Sequence, residues 1–200
     1  ERPWAKQLRQ LYAGQGIEWS KLRLKSVVHQ QIGHGKWQDV KHYKNYNHHL
    51  SHAAAGFQTS PFDRATVVVI DAVGEWDTIS IWGAEYDSKG RAKYTKLWTQ
   101  YYPHSIGLFY TAITSRVGLR PLDEEYILMG MAAYGSKDAR TKMQLDFVED
   151  EWEIRFRENL HTGVSTKYLS DCSDMDLAAS AQDLAEDLIL NVMVRARKFN

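Results

Sequence analysis

Three of the eight histidines in this 200-residue chain, His48, His49 and His52, fall within five residues. Asn47 ahead of them is a favoured N-cap, and Ala53, Ala54 and Ala55 behind them favour helix. On a helix starting there, His48 and His52 are four apart and share one face, so one metal ion could bind both. His49 and His52, three apart, form a second such pair. The partial positive charge of a helix N-terminus disfavours imidazolium and leaves a ring lone pair free for a cation. Zinc proteases carry a glutamate directly after the first histidine; here that residue is His49, so peptide hydrolysis is not indicated. Two ligands fall short of the three or four a transition metal usually takes. A solvated or hydrogen-bonded histidine pair is the ordinary alternative.

The second candidate is segment 71–77 (DAVGEWD). An acid at the end of an apolar strand, a glycine that lets a ligand approach, and two further acids can face phosphates through backbone N–H groups or hold a metal. A solvent-facing hairpin accounts for the same composition. Ser105 opens a helix whose first N–H groups suit an anion, or it is simply an N-cap. The acids Asp123, Glu124 and Glu125 complement a helix dipole. Segment 129–135 offers small residues for close helix packing, with Gly135 as C-cap. Ala178, Ala179, Ala181, Leu184, Leu188, Leu190 and Val192 read as a core stripe. GxxxxGK[ST], GxGxxG and GxSxG patterns are absent. Cys172 sits beside Asp171 and near Asp174, which raises a thiol's pKa and argues against a nucleophilic thiolate.

Elements that would position these residues follow from periodicity. Helices are expected at 3–13, 22–31, 48–57, 105–117, 122–134, 139–144 and 174–198. The β-branched run 65–71 predicts a strand buried on both faces. After a turn at 72–75, strands 78–84 and 93–101 complete an antiparallel meander, and a short hairpin is expected at 151–157. Ser60-Pro61-Phe62-Asp63 marks a boundary. Strands followed by helices predict an α/β fold of ribonuclease-H-like type, the repeating unit of actin-like ATPases.

Lys+Arg and Asp+Glu balance at 25 each, which gives no electrostatic footprint for nucleic acid or a membrane surface. One cysteine excludes an internal disulfide. No apolar run approaches the roughly 18–20 residues of a membrane span, and a cytoplasmic chain is expected. Beginning at Glu1 and ending at Asn200, the sequence reads as an internal fragment of something longer.

Segments 47–57 (NHHLSHAAAGF), 60–82 (SPFDRATVVVIDAVGEWDTISIW), 104–119 (HSIGLFYTAITSRVGL) and 123–135 (DEEYILMGMAAYG) occur in an order that resembles the O-carbamoyltransferases of antibiotic and nodulation-factor biosynthesis. The resemblance runs over about residues 1–199. Such enzymes join an actin-like domain, similar to the tRNA threonylcarbamoyladenosine synthase, to a carbamoyl-adenylate-forming domain. The resemblance implies that residues 1–60, with the histidine helix, end the first actin-like lobe and that 61–200 form most of the second. It implies that His48 and His52 bind iron(II), with an aspartate beyond Asn200 as third ligand. Asp71, Gly74 and Glu75 match the hairpin turn near carbamoyl-adenylate and metal. At Ile127 the family usually carries lysine, so a charge role there is not carried over.

The implied reaction takes carbamoyl phosphate and ATP to carbamoyl-adenylate, then passes the carbamoyl group to a small-molecule hydroxyl acceptor in secondary-metabolite biosynthesis. Magnesium is a further candidate ion, His49 a candidate base for the acceptor proton, and a second copy of the chain a candidate partner. Neither nucleic acid nor membrane is expected. A non-catalytic actin-like scaffold and a binding module with a structural metal are the competing readings. The 200 residues alone are expected to be inactive, with apolar surface uncovered on the last helix around Leu184, Leu188 and Val192.

Overall fold

The computed structural model describes residues 46–199, which belong to one compact unit. The helices expected at 3–13 and 22–31 lie outside the described residues.

The chain enters through α1 (His48–Gln58), capped as its sequence predicts: the Asn47 side chain accepts a hydrogen bond from the Leu50 N–H. Three antiparallel strands follow, β1 (Arg64–Gly74), β2 (Asp77–Tyr86) and β3 (Ala92–Tyr101), in the spatial order β1-β2-β3. Then come α2 (Ile106–Arg116), α3 (Glu125–Met131), a 3₁₀ turn at Ala132–Tyr134, and α4 (Arg140–Phe147). A small ladder of β4 (Val148–Asp150) with β5 (Arg155–Phe156) precedes a second 3₁₀ turn and the long α5 (Asp174–Arg197). The α/β class is therefore as expected.

Alternation along the strands divides the molecule into layers. Val67 and Val69 pack with Ala53 of α1 and Trp82 of β2. Val68 and Ile70 pack with the opposite cluster, where Ile79 and Ile81 meet Phe109, Ile113, Leu128 and Leu184. The sheet thus carries α1 on one face and the remaining helices on the other, the odd and even side chains of β1 serving the two faces.

Several boundaries and burials differ from the sequence expectation. Within the described residues β1 is an edge strand and only half-buried, whereas β2 is central and buried from Asp77 through Trp82. A continuous β-branched run fits a strand covered on two faces, but it does not reveal whether a neighbour closes its edge. The strand also continues past Asp71 to Gly74, with a register irregularity after Ile70, so the connecting turn is only Glu75 and Trp76.

Leu122 takes a positive φ of 65° and precedes α3, which starts three residues later than the apolar pattern suggests. Leu184, Leu188 and Val192 of α5 are buried, contrary to the expectation of an uncovered stripe there. The uncovered large apolar side chains of that helix are Met175 at its start and Ile189, Leu190, Met193 and Val194 toward its end. Gly135 ends its segment in an extended conformation, and the Met175 carbonyl occupies the space a Cβ would take.

Candidate metal centre

The histidine helix lies on β1 and β2, and the first turn of that helix meets the end of β1. Asp71 is the contact. Its Oδ1 accepts from the Ala72 N–H at 2.7 Å, which fixes the carboxylate and leaves Oδ2 facing the helix. Asp71 Oδ2 lies 2.7 Å from His48 Nε2 and 3.8 Å from His52 Nε2, and the two ring nitrogens are 3.0 Å apart. These three residues form the one His/Cys/Asp/Glu group among the described residues whose ligand atoms converge closely enough to hold a metal ion.

The donor chemistry fits a cation. A ring nitrogen offers one proton or one lone pair in its plane, so His48 Nε2 satisfies only one of the two neighbours that face it. A cation at the shared position satisfies all three. The side chains of His48 and His52 are 45% and 54% exposed, so an ion there would keep coordination positions open, as catalytic sites do and closed structural sites do not.

Gly74 and Glu75 hold the hairpin tip against the helix. A Cβ on Gly74 would lie 2.5 Å from His49 Cδ2, and it would also collide with His48 Cδ2, so only glycine allows β1 this close. Glu75 has φ 59°, a left-handed conformation costing a residue with a side chain roughly 1–2 kcal/mol. The Glu75 carboxylate accepts from Asn47 Nδ2 at 3.1 Å, which ties the turn to the helix cap.

His49 points away from solvent. It is fully buried, its Nδ1 lies 2.7 Å from Ser80 Oγ on β2, and Trp82 Nε1 donates to the same Ser80 oxygen at 2.7 Å. Burial pulls the His49 pKa below its ordinary value, with Asp77 and Asp71 opposing the shift in part. Asp77, itself buried, pairs with Lys96 of β3 at 2.5 Å, and the ammonium sits over the Trp82 ring.

The structure thus brings together His48, His52 and Asp71, places Gly74 and Glu75 at their edge, and sets His49 behind them. Sequence reasoning passed over Ser80 and Trp82. Their signal is the alternation in β2, where Ile79 and Ile81 serve one face and Ser80 and Trp82 the other. Ser105 is an N-cap that accepts from the Leu108 N–H, and its hydroxyl donates to the Ala72 carbonyl at 2.7 Å. Burial raises the Cys172 thiol pKa, with Asp171 and Asp176 adding to the shift.

The layered α/β domain thus brings two histidines and a carboxylate together at a strand end, a group that could hold a metal ion. Residues 5–198 match the family described as carbamoyltransferase N-terminus, and the chain belongs to that family. It is 32% identical to protein sll1178 of Synechocystis sp. (strain ATCC 27184 / PCC 6803 / Kazusa) over 196 residues, covering 86% of this chain and 31% of the relative. It is 27% identical to protein MJ1058 of Methanocaldococcus jannaschii over 168 residues, covering 74% of this chain and 27% of the relative. The chain spans less than a third of the length of these curated relatives. Among the described residues no helix is long and apolar enough to cross a membrane.

Proposed function

We propose that this chain carries the metal site of an ATP-dependent O-carbamoyltransferase, which moves a carbamoyl group from carbamoyl phosphate, through carbamoyl-adenylate, to the hydroxyl of a small molecule. Membership of the carbamoyltransferase N-terminus family supports the transferase role. The observation that carries the metal assignment is the convergence of His48, His52 and Asp71 on one exposed point. The meander β1-β2-β3 followed by α2 supports an actin-like frame for it.

His48, His52 and Asp71 would hold iron(II) or another divalent cation, Asp71 joining the ligand set in place of, or beside, the more distant aspartate that the family resemblance implies. Bound there, the ion supplies Lewis acidity toward the carbamoyl carbonyl. The chain's own groups do the rest. Gly74 keeps the turn close to the imidazoles, and Glu75, gripped by Asn47, presents a carboxylate at the rim. The exposure of the two ligand imidazoles favours this reading over a structural metal, whose coordination would be closed. Because the His49 ring is sealed from solvent and engaged with Ser80, its role as a base for the acceptor proton gives way here to a positional one.

The test is transfer of isotope-labelled carbamoyl from carbamoyl phosphate to a panel of hydroxylated small molecules by the full-length protein, with ATP and iron(II) under anaerobic conditions. Labelled product that disappears in D71N and in H48A/H52A supports the reading. Undiminished transfer by both variants rejects it.

A further inference from the structure

The metal ligands come from two separate elements, His48 and His52 from α1 and Asp71 from β1, so the distance between helix and sheet sets the geometry of the site. His49 is the buried residue of α1 nearest the ligands, with Ala53 and Phe57 buried further along the helix. It follows His48 directly, is fully buried, and packs against Gly74 of β1 while reaching Ser80 of β2.

The protons in this cluster can be assigned. Trp82 Nε1–H can only donate, and it donates to Ser80 Oγ. The Ser80 hydroxyl proton then goes to His49 Nδ1, because the opposite arrangement would leave that proton without an acceptor in the cluster. His49 is therefore the neutral tautomer with its proton on Nε2. That nitrogen is buried and has no hydrogen-bond partner among the described residues. A non-polar side chain would fill the space beside Gly74 without burying an unpaired N–H, which is a real cost. What the imidazole adds is the bond to Ser80.

We propose that His49 is a positioning residue: through the Trp82–Ser80–His49 chain it fixes α1 on the sheet so that His48 and His52 face Asp71 at ligand distance. The proposal rests on the metal reading above, and it assigns Ser80 and Trp82 of β2 to the support of a site they do not touch. Groups that orient metal ligands from behind commonly change affinity about 10- to 100-fold when removed.

The experiment is titration of the full-length protein with cobalt(II), read by its visible absorption band, for wild type, S80A, H49L and H49N, with thermal melting to establish that each is folded. In S80A and H49L the dissociation constant should rise roughly 10- to 100-fold and the band should shift. H49N, whose side-chain oxygen can accept the Ser80 proton from the Nδ1 position, should recover most of the affinity and the wild-type band. Unchanged affinity and spectrum in S80A and H49L would overturn the proposal, and so would H49N binding as weakly as H49L. If H49L does not fold, S80A and H49N decide the matter between them. A wild-type protein that binds no cobalt would overturn the metal reading itself, and this inference with it.

Discussion

The two faces of the sheet obey different rules. On the helical face, Ile79 and Ile81 meet Phe109, Ile113, Leu128, Met143 and Leu184 in a continuous apolar core. Among the described residues the buried apolar cluster on the α1 face is Ala53, Val69 and Trp82, with Phe57 also buried on α1, and beside it lie buried His49, Ser80 and Asp77, a glycine that admits no Cβ, and a glutamate at positive φ. Departures from local rules also occur on the helical side, as at Leu122 with its positive φ and at Gly135, but on the α1 face they gather where three ligand atoms converge. Proteins generally store such departures at functional sites and compensate for them elsewhere.

The contrast predicts that the faces will respond separately to mutation. Leu128→Ala, at a fully buried position on the helical face, should cost about 2–5 kcal/mol of stability while leaving metal affinity per folded molecule unchanged. Chemical denaturation and cobalt titration of the same variant check both halves. On the other face, Gly74→Ala should cost less, about 1–3 kcal/mol, because a Cβ overpacks against His48 and His49. Yet it should weaken metal binding sharply, and equal affinity in this variant would break the comparison.

Glu75→Gly should separate the two quantities further. Glycine relieves the left-handed strain at φ 59° but gives up the exposed bond to Asn47, so stability should move by no more than about 1 kcal/mol. Transfer activity should nonetheless fall, measured as turnover at saturating carbamoyl phosphate.

The smallest effect concerns His104, on the helical side of the turn that leads into α2. Its Nδ1 accepts from the Phe156 N–H at 3.1 Å, and burial, helped by Arg155, lowers its pKa from the ordinary 6.5. Below that ordinary value the unfolded chain binds the proton more readily than the folded one, so stability falls as pH drops from about 6.5 toward the folded-state pKa. Above about 6.5 the group is neutral in both states and contributes no slope. H104N keeps an acceptor for Phe156 and removes the titration, so its melting temperature should depend less on acid than that of wild type. Some slope should remain, since His49 is lowered in the same direction.

Much of this architecture was legible because it is local. Asn47 announced the helix, and the alternation and turn residues announced the meander. The pairing of His48 with His52 followed from helical spacing alone. The approach of Asp71 did not, because it depends on β1 continuing past the expected turn with a register irregularity after Ile70. Nor could the run 65–71 reveal that, among the described residues, β1 is the edge and β2 the centre, since that depends on neighbours distant in sequence. Leu190 fits the apolar period of α5 yet lies 59% exposed, whereas Leu184 and Leu188 are buried. Periodicity names a face, and packing decides how wide that face is.

In the proposed reading, His48, His52 and Asp71 together would hold one divalent cation. Anaerobic metal titration of the full-length protein, with bound metal counted by elemental analysis, tests it most directly. If its one metal site is this one, wild type should bind one equivalent, H48A/H52A none, and D71N should bind at least about 10-fold more weakly. Retention of one tightly bound equivalent by H48A/H52A would contradict the account.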